Sequence, residues 1–204
     1  MIRRLPPEAR RAEIVRRTRA MIAAQGPEGL SLRAVARWCG MSAPGLLHHF
    51  SGLQELLETV IAERDAEETE AAAAFVRDLG EAGTLRDFAD GLVRFSEANW
   101  AETRNFDALE SEAVASPEHP AHDYYLTQIV RPLTPAVELA AREYRDPEAV
   151  LAVLGVVADG LRHRWLRTVG VPDYWADWLR VRDTVFLGFE PLRRAPGPGD
   201  PVGA

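Results

Sequence analysis

The residue types and spacings that could do chemistry are concentrated in residues 31–50, SLRAVARWCGMSAPGLLHHF. The chemistry they suit is noncovalent recognition of phosphates and base edges. Ser31 can cap a short helix whose inner face is Val35 and Ala36, and Gly40 supplies the turn at which that helix stops. Ser42 then caps a second helix whose first turn accepts Pro44, because a missing N–H has no intrahelical partner so early. Met41, Leu46 and Phe50 pin the two helices to a shared core. A glycine nine residues after the first cap, with a small polar residue two further on, is the spacing of a helix-turn-helix, whose second helix enters the DNA major groove. That helix presents Ala43, Pro44, Gly45, Leu47 and His48, which carry one side-chain hydrogen-bond donor between them, so bidentate readout by Arg or Asn is excluded there. Readout falls instead to apolar contact with thymine methyls, close backbone approach at Gly45, Arg33 and Arg37 on the preceding helix, and DNA shape. Ser42 and the pair His48 and His49, placed at the backbone or a base edge, complete the candidate DNA-binding set.

The flanking elements must position this motif. Upstream, RRAEIVRRTRAMIAAQGPEGL repeats Ile14, Val15, Thr18, Met21 and Ile22 at helical spacing before Gly26. Downstream, LQELLETVIAERDAEETEAAAAFVRDL continues as one long helix with Leu53, Leu56, Leu57, Val60 and Ile61 facing inward. GMSAPGLLHHF followed by LQELL resembles the Gly-Val-Ser-x-x-x-Leu-Tyr-x-His-Phe signature and fourth-helix start of the TetR family of bacterial transcriptional regulators, and the resemblance extends over residues 10–62. Beyond residue 62 only the layout is similar. The chain departs from the family pattern at Leu47, where tyrosine is common, at Leu53, where lysine is common, and at Gly45, where Thr or Ser is common. Two frequent phosphate contacts are therefore missing.

Charge divides the chain along the same line. Residues 1–50 hold nine Arg against three acids, a balance of +6, whereas residues 51–204 hold fifteen Arg against twenty-eight acids, a balance of −13. The net −7 thus conceals a basic first quarter suited to phosphate neutralisation and an acidic remainder that stays off the duplex. Arg3 and Arg4, ahead of Pro6 and Pro7, could reach the minor groove as a basic arm, although a disordered segment without contact is the simpler expectation. The single cysteine, Cys39, reads as a small buried residue in a reducing cytoplasm. The longest apolar run, 149–158, is too short to span a bilayer, and no export signal is visible, so a cytoplasmic protein with no membrane partner is expected.

The expected fold is all-α: a helix-turn-helix domain over 8–52, a larger helical ligand-binding and dimerisation domain over 53–192, about nine helices in total, and a disordered tail over 193–204. Gly80 and Gly83 end the fourth helix, Thr84 caps the next, and Asn105 reads as a cap for the one after. Pro120 opens a further helix that Pro132 and Pro135 kink or split, and Asp146-Pro147 starts another. Phe88, Leu92, Phe95, Trp100, Phe106, Leu109, Tyr124, Tyr125, Ile129 and Trp165 are the candidate pocket lining, aromatics with polar handles that suit an apolar or aromatic small molecule. Glu110, Glu112, His119, His122, Asp159 and His163 include ligand types for a metal, but solvation or local hydrogen bonding is the simpler reading, and neither metal nor cofactor is expected.

The last two helices carry more apolar surface than one inward face can use. Val150, Leu154, Val157, Leu161 and Trp165 form one stripe while Leu151, Val153 and Val156 lie on other faces. A homodimer is expected, with Val150, Leu154, Val157, Leu161, Trp178, Val185 and Phe189 as its candidate interface. The resemblance implies pairing through the last two long helices, and a two-fold dimer favours a palindromic double-stranded operator. Two functional readings follow. One is a ligand-responsive regulator, for which the resemblance favours repression relieved by a small molecule. The other is a helical carrier or enzyme with an incidental N-terminal domain. Against an enzyme, no nucleophile, base and orienting group form a recognisable constellation.

Overall fold

The computed structural model describes residues 6–127, 135–189 and 191–192. Within them the chain is all-α, with an N-terminal helix-turn-helix. Ten helices follow in order: α1 Pro7–Gln25, α2 Leu32–Trp38, α3 Ala43–Leu47, α4 Leu53–Leu79, α5 Leu85–Ala98, α6 Trp100–Ala115, α7 His122–Thr127, α8 Val137–Glu143, α9 Pro147–Leu166 and α10 Tyr174–Leu187. The only β-type pairing among the described residues is one antiparallel bridge between Tyr144 and Pro191. Ile129, Pro132, the Arg3-Arg4 arm and the 193–204 tail lie outside the described residues.

Local chemistry explains most boundaries. Thr84 and Asp87 form a reciprocal capping box at α5: the Thr84 hydroxyl accepts from the Asp87 amide at 3.1 Å, and the Asp87 carboxylate accepts from the Thr84 amide at 3.0 Å. Asp146 caps α9 by accepting from the Ala149 amide at 2.9 Å, with Pro147 in the first turn. Gly91 is required where α5 crosses α4, since a Cβ there would fall 2.2 Å from the Phe75 ring. Two expectations need correction. Asn105 caps nothing, because α6 already starts at Trp100 and runs through it; its side-chain amide instead donates to the Ala23 carbonyl of α1 at 2.8 Å. Pro120 precedes a turn, and α7 begins only at His122.

Burial produces two hydrophobic cores. The first gathers α1, α2, α3 and the start of α4, through Ile14, Val35, Leu46, Phe50, Leu57 and Ile61, and extends to Phe106 and Leu109 of α6. The second joins the later helices through Phe88, Leu139, Val150, Trp165, Tyr174 and Trp178. The first core thus crosses residue 52, so the position at which the sequence changes composition is not a boundary in packing.

Between the cores lies a polar layer. Asp107 on α6 is only 7% exposed, and its carboxylate receives Arg162 of α9 at 3.4 Å. Arg162 also pairs with Glu110 at 3.2 Å and Asp159 at 3.0 Å, so Asp107 shares one guanidinium with two better-placed competitors. Burial consequently wins over the pairing and pushes the Asp107 carboxyl up to about 6. An acid whose folded pKa is raised binds its proton more tightly in the folded state, so it favours folding at low pH and loses that advantage as pH rises through the window between its ordinary 3.8 and about 6. Denaturant titrations at several pH values should show wild type losing roughly 2 to 3 kcal/mol relative to Asp107→Asn between about pH 4 and pH 7. Parallel curves for the two proteins would contradict this assignment.

Candidate nucleic-acid interface

The turn between α2 and α3 is built by its own hydrogen bonds. The Ser31 hydroxyl accepts from the Ala34 amide at 3.2 Å, and the Ser42 hydroxyl accepts from the Gly45 amide at 3.1 Å, so each helix carries a side-chain N-cap. Gly40 adopts φ +68°, a left-handed conformation that other residues rarely take, and the Met41 amide closes the turn onto the Ala36 carbonyl at 2.9 Å. Leu46 and Phe50 are buried beneath the turn, as is Cys39, whose thiol is pushed up by burial. With these side chains fixed inward, Ser42, Pro44, Leu47 and His48 are exposed, and Ala43, Gly45 and His49 are partly so. Leu47 is 47% exposed on the same face.

Arg33 and Arg37 are exposed one turn apart on α2 and make no ion pair among the described residues. Arg11, Arg16, Arg17 and Arg19 of the basic quarter are committed elsewhere. Arg16 and Arg17 both pair with Glu13, at 2.6 Å and 2.5 Å. Arg11 is a clamp: it donates to the His49 carbonyl, pairs with Glu55 at 2.7 Å, and lays its guanidinium 3.9 Å from the centre of the Phe50 ring. The Glu55 carboxylate also accepts from the Ser51 amide at 2.6 Å, and these contacts hold it down to about 2. Arg11 therefore fixes the exit of the reading helix onto α1 and α4. It is not among the sequence-predicted site residues, because a single arginine on an amphipathic helix carries no mark of its partner.

The reading head is tied to the body at a second place. Arg19 of α1 pairs with Glu102 of α6 at 2.9 Å and with Glu67 of α4, and Asn105 of α6 holds the last turn of α1 through the Ala23 carbonyl. The sequence gives no warning of this contact.

The candidate pocket residues do not form one lining. Phe106, Leu109, Tyr124 and Tyr125 belong to or pack on the first core, whereas Phe88, Leu92, Trp100 and Trp165 belong to or pack on the second. Phe95 is 49% exposed on α5. Among the described residues no three His, Cys, Asp or Glu side chains converge as a metal would require. His119 accepts from the Ala121 amide, His122 bonds the Ala113 carbonyl, and His163 bonds the Asp159 carbonyl, so each histidine is engaged within its own neighbourhood.

The candidate dimer residues lie largely inside the protomer. Val150, Leu154, Leu161, Trp178 and Val185 are buried within the protomer, and Val157 and Phe189 pack against the same core. The apolar residues left outside on these helices are Val153 (40% exposed), Val156 (72%), Leu179 (42%) and Leu187 (82%). Apolar residues all round a helix reveal that two faces are covered, but not which face the protomer keeps.

Residues 14–60 match the family model of bacterial regulatory proteins of the tetR family. No curated protein matches the chain. Solved structures similar to it include a putative TetR-family transcriptional regulator from Mesorhizobium loti, with TM-score 0.67, 14% identity, and coverage of 91% of this chain and 99% of that one. GusR of Salmonella enterica gives 0.62 at 17% identity, covering 89% and 95%. A putative TetR-family regulator from Rhodococcus sp. gives 0.59 at 22%, covering 87% and 98%. At these identities the likeness is one of fold.

If Arg33 neutralises a phosphate, Arg33→Ala should flatten the dependence of log K on log salt for random-sequence duplex DNA by about 0.9. Filter or anisotropy titrations over a salt series measure the slope, and an unchanged slope would remove Arg33 from the interface.

Proposed function

We propose that this chain, whose residues 14–60 match the family model of tetR-family bacterial regulatory proteins, is a ligand-responsive transcriptional repressor that binds DNA sequence-specifically as a homodimer. The observation that carries the reading is the built α2–turn–α3 unit, with its apolar reading face exposed and, beside it on the basic quarter of the chain, Arg33 and Arg37, which make no ion pair among the described residues. Arg33, Arg37, Ser42, Ala43, Pro44, Gly45, Leu47, His48 and His49 are the proposed DNA contacts. Residues 8–52 serve as the reading head and 53–192 as the body.

The body acts by moving the head rather than by catalysis. α4 carries Glu55, which holds the exit of the reading helix, and α6 carries Glu102 and Asn105, which hold α1. A small, largely apolar or aromatic molecule bound among the body helices shifts α4 and α6 and weakens operator binding through a coupling of typically ~1–3 kcal/mol. Val153, Val156, Leu179 and Leu187 support pairing of two copies through the outer faces of α9 and α10. Such a dimer sets two reading helices about 34–36 Å apart, or a multiple of one DNA turn, and matches a palindromic operator. No described helix is long and apolar enough to cross a membrane. The reading places the protein in the cytoplasm with its DNA, and it needs no cofactor.

Selection of bound duplexes from a random pool by the purified chain should recover one palindrome, and His48→Ala and Val156→Arg should each lose the enrichment, the second because a buried charge prevents pairing. Recovery of an unrelated set of sequences, or of a single half-site, would reject the dimeric-repressor reading.

A further inference from the structure

The face that α3 turns outward is apolar. Leu46 and Phe50 are buried beneath it, which leaves Pro44, Leu47 and His48 exposed together at i, i+3 and i+4. Gly45 beside them adds no side chain, and the Ser42 hydroxyl is engaged in the N-cap, accepting from the Gly45 amide at 3.1 Å. The His48 ring is the other polar group on this face, and a single imidazole cannot make the bidentate contact that separates one base from another. The charge that suits phosphates lies to the side, on α2, where Arg33 and Arg37 are exposed and make no ion pair among the described residues.

An apolar side chain in the major groove discriminates in one way. Exocyclic amines and carbonyl oxygens lose water against it and gain no partner, whereas burial of the thymine C5-methyl group is favourable. 5-Methylcytosine carries the same methyl group at the same C5 position. In the groove it differs from thymine by an amine at C4 in place of a carbonyl oxygen, and neither Pro44 nor Leu47 has a group that responds to that exchange. We infer that the Pro44–Leu47 face of α3 recognises the C5-methyl group itself, so that the protein accepts 5-methylcytosine as readily as thymine and its DNA binding responds to cytosine methylation. This rests on the proposed sequence-specific DNA binding and specifies what the reading helix reads.

The test is duplex selection by the full chain from three random pools: ordinary DNA, DNA with uracil in place of thymine, and DNA with uracil in place of thymine and 5-methylcytosine in place of cytosine. Uracil pairs as thymine does and lacks only the methyl group. The ordinary pool should return a motif containing thymines whose preference a Pro44→Ala/Leu47→Ala variant loses; both side chains are exposed, so the variant keeps its core. At those positions the second pool should show no preference, while the rest of the motif persists, and the third should return cytosine. On single duplexes, thymine and 5-methylcytosine at such a position should bind within about twofold of each other, and uracil and cytosine about three- to fourfold more weakly.

A motif that keeps its preference when uracil replaces thymine, a methylated cytosine that binds no better than a plain one, or a double variant that still prefers the methylated forms would overturn the inference and leave sequence-specific binding standing. No motif from the ordinary pool would instead reject the reading on which the inference rests, and the inference with it.

Discussion

The arrangement depends on the docking of α1 against α6. A three-helix reading head of this size buries little apolar surface by itself, and here its core is completed by Phe106, Leu109 and Ala113 from α6. The contact is directional as well as apolar. Arg19 reaches both Glu102 and Glu67, and Asn105 satisfies a carbonyl that the end of α1 would otherwise leave open. The orientation of α3 is therefore set by the body through α1 and α4 together, not by a hinge between independent domains.

That constraint gives the polar layer its meaning. A structure built only for stability would fill the space between the cores with apolar side chains, since burying an ion pair with shared partners gains little. This chain instead places Asp107 and Arg162 there, with Arg162 shared among Asp107, Glu110 and Asp159. The layer joins α6, which grips the head through Glu102 and Asn105, to α9 of the body.

The sequence makes the local grammar of the head legible. Ser31, Gly40, Ser42 and Pro44 each specify a backbone event within four residues, and each event occurs where those residues put it. The inner stripes of α1 and α4 are equally readable from spacing, because Ile14, Val15, Ile22, Leu57 and Ile61 have only one core to enter. Legibility ends where a side chain's partner is distant in sequence. Arg11 with Glu55, Asn105 with Ala23 and Asp107 with Arg162 are separated by tens of residues and carry no periodic mark. The α9 and α10 faces fail differently: Val150 and Val156 are the same residue type on one helix, and only packing decides that the first is buried and the second exposed.

Differential scanning calorimetry of the wild type and of a Glu102→Ala/Asn105→Ala double variant most directly tests whether head and body are one unit. A single cooperative transition for the wild type, splitting into two with the head melting first in the variant, is the result this account requires. Two separate transitions already present in the wild type would contradict it, because the head would then be a passenger on the body rather than positioned by it.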